Sequence, residues 1–249
     1  MKYFVVSDVH GFFNEFMGAL IKAGYDKEDK NHCLVVLGDL LDRGNKPAEC
    51  LKFVNSIPAE RKILIRGNHE DLMDEMLVRD ECLFHDIHNG TLKTVCDIFM
   101  STDAPRIFHE MKEYDPWIKY RQSLVDYAEV GKYIFVHGWV PTWRENKSSK
   151  KRIVLGKDFW TSAAWRDARW TNGMEAWHDG AKIPNKTIVC GHWHCSWGWS
   201  NIRQERQEFP QKNSNTFAES FEPFIDEGII AIDSCVAYTG FINCIVLGV

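Results

Sequence analysis

Nowhere in this chain do apolar residues run on for the about eighteen positions that a membrane-spanning helix takes. The opening apolar run, Met1 to Val6, breaks at Ser7 and Asp8, too early for the core of a secretion signal. The expectation is a cytoplasmic protein with no membrane partner. An excess of positive charge is also missing: 30 Lys and Arg against 35 Asp and Glu leave a net charge of −5. Such a balance gives no whole-protein attraction to nucleic acid, so that partner is not expected, although a local basic site stays compatible with it. The 8 cysteines have no paired spacing, and Cys33, Cys50, Cys190 and Cys244 sit inside apolar runs. They read as reduced core residues. Internal repeats, low-complexity tracts and linkers are absent too, and residues 1–249 are expected to form one domain.

What the chain does have is a series of short apolar runs, each stopped by Gly, Asp, Asn or His: Tyr3–Val6, Cys33–Leu37, Ile63–Ile65, Tyr133–Val136 and Thr187–Cys190. These read as buried strands. Helical spacing fills the gaps between the first of them, through Phe13, Phe16, Met17, Leu20 and Ile21, and again through Ala48, Leu51 and Val54 after Pro47. Strand–helix–strand alternation predicts right-handed βαβ units that gather polar residues at one sheet edge. Residues 71–126 read as a mostly helical cap without a comparable strand. Gly228–Ile232 and Phe241–Leu247, separated by Ala237–Gly240, read as a hairpin closing a second sheet. The polar stretch from Ile202 to Asp226 reads as a long surface loop bordering the site.

Chemistry concentrates where the strands stop: Asp8-Val9-His10-Gly11, Gly38-Asp39-Leu40-Leu41-Asp42-Arg43-Gly44, Arg66-Gly67-Asn68-His69-Glu70, His137-Gly138 and Gly191-His192-Trp193-His194. Carboxylate, amide and imidazole donors in this mixture suit two divalent cations of hard to borderline character, manganese first, with iron or zinc as alternatives. If Asp39 bridges, one cation takes Asp8, His10, Asp39 and His194, and the other takes Asp39, Asn68, His137 and His192. Two such cations lower the pKa of a shared water, which attacks a phosphate ester in line as hydroxide. His69 is the candidate proton donor to the leaving group, with Asp42 orienting its ring, and Arg43 and Arg66 are candidate clamps for phosphate oxygens.

These residues resemble the calcineurin-like metallophosphoesterase superfamily, and within it the branch of Ser/Thr protein phosphatases and symmetrical diadenosine tetraphosphatases. The patterns D-x-H, GDxxDRG and RGNHE occur in order from Asp8, Gly38 and Arg66. Asn89-Gly90-Thr91-Leu92 and Ile232-Asp233-Ser234-Cys235 look like weaker family segments. The resemblance implies an α/β fold, a four-layer αββα sandwich of two mixed sheets flanked by helices, with the metals at strand ends. It also implies a phosphate-binding arginine, which matches Arg166, with Arg169 as the rival. Ser7 stands where the family usually has glycine, and Ser234-Cys235 lacks another glycine. Gly191-His192-Trp193-His194 has a second histidine typical of the wider superfamily, so His194 is either a ligand or an incidental neighbour.

Blander readings stand beside these. Cys190 through Cys195 could form a zinc knuckle, but no second Cys pair has suitable spacing. The run Lys147, Lys150, Lys151 and Arg152 reads as a solvated loop. The tryptophans at 160, 165, 170, 177, 193, 197 and 199 read mostly as core, with one or two at the mouth able to stack a nucleobase or an aromatic phospho-residue. The function expected first is metal-dependent hydrolysis of a phosphate monoester, on a phosphoprotein or small ester. The alternative is symmetrical dinucleoside tetraphosphate hydrolysis, and a non-catalytic scaffold on the same fold comes third.

Overall fold

A computed structural model describes residues 1–146, 151–203, 209–212, 214 and 217–248. The first sheet is built on β1 (Lys2–Val6), β2 (His32–Val36) and β3 (Lys62–Ile65), which run parallel. Their crossovers are α1 (Phe13–Ala23) and α2 (Pro47–Asn55), and Pro47 starts α2 where its missing N–H costs nothing. The helices α3 (Asn68–Arg79), α4 (Phe84–Asn89), α5 (Thr91–Phe99), α6 (Ala104–Glu113) and α7 (Asp115–Gln122) follow. The short strand β4 (Leu124–Val125) then returns to the edge of the same sheet beside β3. The second sheet uses β5 (Ala128–Val130), β6 (Tyr133–Phe135), β9 (Thr187–Cys190), β10 (Phe224–Asp226) and β11 (Ile229–Ala231) in the order β10-β11-β9-β6-β5. Between β6 and β9 lie a small hairpin, β7 (Thr142–Arg144) with β8 (Arg152–Val154), and the helices α8 (Ser162–Arg169) and α9 (Gly173–His178). After β9 come α10 (Cys195–Arg203), α11 (Phe217–Ser220), α12 (Val236–Thr239) and β12 (Ile245–Gly248).

The layers follow from the two-residue period of the strands. Val5, Val35 and Ile65 turn inward to meet Phe135, Val189 and Ile230 of the second sheet. Their neighbours Phe4, Val6, Leu34, Val36 and Leu64 turn outward onto Phe16, Leu20, Leu51 and Val54 of α1 and α2. On the far side Ile134, Ile188 and Ala231 cover Trp165, Ala168, Met174 and Ala176 of α8 and α9. This is the expected helix–sheet–sheet–helix arrangement, with each sheet mixed because one parallel core carries antiparallel edge strands. The strands expected at residues 3–6, 33–37, 63–65, 133–136 and 187–190 all form, within one residue at each end.

Four expectations need correction. The last two apolar runs do not make a hairpin: β11 has β9 on one edge and β10 on the other, so the final run passes over to pair antiparallel with the open edge of β1. The 71–126 segment is helical but contributes β4, and its apolar residues Val95, Ile107, Phe108, Met111 and Trp117 share the outer core of the first sheet. The stretch from 202 to 226 is not one loop, because α11 and β10 form within it; residues 204–208, 213, 215 and 216 lie outside the described residues. Arg152 also departs from the solvated-loop reading. It is 8% exposed in β8 and donates from Nη2 to Glu175 Oε2 at 3.1 Å, while Lys147 and Lys150 lie outside the described residues. Among the described residues no helix is long and apolar enough to cross a membrane, and all 8 cysteines are free.

Candidate metal centre

The loops after β1, β2, β3, β6 and β9 meet at one end of the two sheets, as the βαβ reading expects. Two glycines allow the approach. A Cβ at Gly67 would strike Asp39 Oδ1, and one at Gly191 would strike Ser7 Oγ. Among the described residues, two sets of ligand atoms lie within 4.8 Å of one another: His10, Asp39 and His69, and Asp39, His137 and His192. Asp39 belongs to both and gives one oxygen to each. Its Oδ1 lies 3.4 Å from His137 Nε2, and its Oδ2 lies 3.8 Å from His10 Nε2 and 3.9 Å from His69 Nε2.

Outer hydrogen bonds fix which nitrogen of each ring faces inward. His10 donates Nδ1–H to Leu41 O at 3.0 Å, and its Nε2 accepts from Arg43 Nη1 at 2.9 Å. Burial, then the Arg43 charge, holds its pKa well below the ordinary histidine value, so the ring is neutral. His69 donates Nδ1–H to Asp42 Oδ2 at 2.7 Å, and Thr91 Oγ1–H donates to the same oxygen at 2.8 Å. Burial works against a charge on His69, yet Asp39 and Asp42 together raise its pKa. Arg43 Nη2 meets His69 Nε2 at 3.2 Å, so the arginine and a proton compete for one lone pair. His192 is kept neutral by burial and by the neighbouring His137, which bring its pKa down to about 3.

On the other side His137 donates Nδ1–H to Leu37 O at 2.6 Å. Burial opposes its ionisation, but the carboxylates of Asp39 and Asp8 push its pKa up to about 10, so Nε2 also carries a proton and donates to Asn68 Oδ1 at 2.8 Å. Without that proton, His137 Nε2, Asn68 Oδ1 and Asp39 Oδ1 would be acceptors converging with no donor among them. His10 Nε2 and His69 Nε2 converge in the same way on the Arg43 guanidinium. Each half of the site thus presents lone pairs to positive charge, and the oxygen and nitrogen donors suit divalent cations. The residues fit the metals.

Other residues named from the sequence lie around this centre. Asp8 Oδ2 accepts from Ser7 Oγ and from His192 N, the latter at 2.9 Å, so Ser7 in place of glycine adds a donor to the Asp8 carboxylate. His194 is outside both tight sets. Its Nδ1 meets Ser196 Oγ at 2.7 Å, and its ring lies 4.3 Å from that of Phe209. Of the proposed clamps, Arg43 alone bonds to members of the two sets. Arg66 is held by Asp71 at 2.6 Å and by Asp74, Arg166 pairs with Glu75 at 3.5 Å, and Arg169 is buried between Asp71 and Asp126 at 2.7 Å each.

The reading by motif assigned no role to Glu70, which is buried under the whole arrangement. Its Oε2 accepts from Gly67 N at 2.8 Å and Asp39 N at 3.0 Å, and its Oε1 from Leu40 N at 3.0 Å and Tyr120 Oη at 2.9 Å. One carboxylate therefore ties the β2 loop to the start of α3. The signal was present, since Glu three residues after the residue that caps a helix is half of a capping box. Thr91 stood in the Asn89-Gly90-Thr91-Leu92 segment, but its bond to Asp42, and that of Thr94, could not be read because they come from a helix distant in sequence.

The family model for calcineurin-like phosphoesterases matches residues 1–196. The chain belongs to the calcineurin-like phosphoesterase family. Among its relatives, a symmetrical bis(5'-nucleosyl)-tetraphosphatase of Vibrio vulnificus is 30% identical over 146 residues, 57% of this chain and 46% of that protein. A bis(5'-nucleosyl)-tetraphosphatase PrpE [asymmetrical] of Bacillus velezensis is 34% identical over 76 residues, 28% of this chain and 30% of that one. The chain spans about half the length of the symmetrical relatives it matches. Its fold is that of a cold-active protein-tyrosine phosphatase of a psychrophilic Shewanella, at a TM-score of 0.54 and 15% identity, covering 99% of this chain and 75% of the other.

Proposed function

We propose that this phosphoesterase hydrolyses a phosphate ester with two divalent cations held at the strand ends, manganese first among them. The observation that carries the reading is Asp39, which turns one oxygen to each of two histidine sets. The proposed holders are Asp8, His10, Asp39 and His194 for one cation, and Asp39, Asn68, His137 and His192 for the other. Bound there, the cations would lower the pKa of a water and neutralise phosphoryl oxygens. His69 carries the proton for the leaving group: its Nδ1–H is pinned by Asp42, so Nε2 is the nitrogen free to protonate and deliver. Arg43, displaced from His10 and His69, supplies two parallel N–H donors to phosphate oxygens. Arg66 and Arg166 remain candidates for a more distant part of the substrate, since both line one cavity with Asp71, Asp74 and Glu75.

Two substrate readings follow. A phosphomonoester, on protein or a small molecule, suits the His69–Asp42 pair, which matters most for a poor leaving group. A dinucleoside tetraphosphate is favoured by the names of the relatives. Turnover of a phosphoserine peptide, a phosphotyrosine peptide, diadenosine tetraphosphate and a cyclic nucleotide with manganese present ranks them by kcat/KM. For the centre itself, Asp39→Asn is expected to reduce the binding of both cations, read by elemental analysis. A variant that retains two cations and full activity would remove the bridge.

A further inference from the structure

Next to the metal centre is a cavity of about 350 Å³ whose walls include Trp170, Trp193 and Trp197, with Arg152, Thr171 and Asn172 at its polar side. The volume is at the low end of the roughly 300–1,000 Å³ usual for small-molecule sites. It borders the ligands directly. The rings of Trp170 and Trp193 each stand 5.9 Å from that of His192, edge-on at 84° and 62°. Trp170 is 49% exposed, an unusual amount of indole surface to leave in water beside a site for a charged substrate.

We propose that this cavity receives the nucleobase of a nucleoside phosphate whose phosphate chain reaches the centre at His192. The inference rests on the phosphoesterase reading and names its substrate class. Flat indole faces bind any base by stacking. A base also needs hydrogen-bond partners at its edge, and these distinguish it from the phenyl ring of phosphotyrosine. Asn172 uses its Oδ1 to accept from Glu175 N at 3.1 Å, which leaves its NH2 group to donate to a ring nitrogen or carbonyl. Arg152 and Glu175, paired at 3.1 Å, both line the same wall and add charged donors and acceptors to it without net charge. The apolar walls and polar edge together match a heterocycle rather than a hydrocarbon ring.

The test has a binding arm and a kinetic arm, both on the full chain. In the binding arm, adenosine, which has no phosphate, is titrated against intrinsic tryptophan fluorescence without added metal. Saturable quenching is expected, weakened by Trp170→Leu and largely restored by Trp170→Phe. In the kinetic arm, with manganese, Trp170→Leu is expected to lower kcat/KM for diadenosine tetraphosphate by roughly 5- to 100-fold relative to that for methyl phosphate, which has no ring. An unchanged ratio together with no adenosine binding overturns the nucleobase site and leaves the phosphoesterase reading intact. An equal loss with a phosphotyrosine peptide overturns the preference for a base. Adenosine binding that depends on Trp170 in a protein that hydrolyses no phosphate ester keeps the cavity and removes the phosphoesterase reading.

Discussion

Replacing Glu70 with Gln changes one oxygen to NH2 with almost no change of shape, at a residue 2% exposed. The four donors around the carboxylate decide which way the amide turns. With NH2 at the Oε2 position, Gly67 N–H and Asp39 N–H would both face a donor. With NH2 at Oε1, only Leu40 N–H faces one, because the Tyr120 hydroxyl can rotate and accept instead. The second orientation wins. One buried N–H then loses its acceptor, at about 1–3 kcal/mol. The remaining bonds lose the assistance of a charge, which makes such bonds roughly twice as strong as neutral ones, so each weakens by about 0.5–1 kcal/mol. Part of this returns because an ion no longer has to be buried. The net expectation for Glu70→Gln is a loss of about 2–3 kcal/mol in folding free energy.

Urea unfolding in the presence of a chelator measures that loss without metal binding, and melting should fall by roughly 4–12 °C for a chain of this size. Tyr120→Phe added to Glu70→Gln removes the acceptor that the amide NH2 uses, so the two substitutions together should cost more than the sum of their separate effects in the cycle. A Glu70→Gln protein that unfolds within about 0.5 kcal/mol of wild type, at unchanged m-value, would refute the clamp, since no arrangement of an amide satisfies all four donors.

His69→Ala should keep its cations yet slow turnover by about 10²–10⁴-fold on esters with poor leaving groups, and much less on nitrophenyl esters; loss of cations by elemental analysis would remove the proton-donor role. Arg43→Met removes the guanidinium that holds the His10 and His69 lone pairs, so cation affinity measured by titration should rise while KM for phosphate ester also rises. A fall in cation affinity would show that Arg43 organises the site instead of competing for it. In metal-free protein His137 stays protonated up to about pH 10, so a cation must expel that proton, and affinity should tighten about tenfold from pH 6 to pH 7 if one proton leaves. Affinity independent of pH over that interval would contradict the assignment of His137 as a ligand.

The strands and the first crossovers were legible because each is an apolar run cut off by a polar residue, and burial on both faces of a parallel sheet demands that pattern. The candidates Asp39, His137 and His192 were legible for the same reason, each being the first polar side chain after its run, whereas Asp8, His10 and Asn68 come after Ser7 or Arg66 and stand out only through the D-x-H and RGNHE patterns. The path of the C-terminal run was not, because period-2 patterning says that Phe241–Leu247 pairs but not with which edge. That choice is made by the free edge of β1, a tertiary fact. Arg66 and Arg166 show a second limit. A guanidinium near a motif can serve phosphate or an acid, and only the positions of Asp71, Asp74 and Glu75 reveal that acids hold both here.

The backbone of the centre explains how short loops can bring so many polar side chains together. Asp8, His10, Asp39, Asp42, Arg43 and His192 all have positive φ, between 49° and 75°, a region that costs side-chain-bearing residues roughly 1–2 kcal/mol each. A residue in that region reverses the chain within a step or two of the strand end. Side chains that would otherwise alternate outward are thereby returned to a common point beyond the sheets. Strain of this kind persists only where neighbouring contacts over-determine it. Those contacts are the backbone bonds from His10 N to Asp39 O and from Gly11 N to Leu40 O, both at 2.9 Å, and the Glu70 carboxylate beneath the β2 loop. The strained turns and the clamp are therefore one device: relaxing the Glu70 contacts should let Asp39 leave the left-handed region and separate the two halves of the centre that its oxygens join.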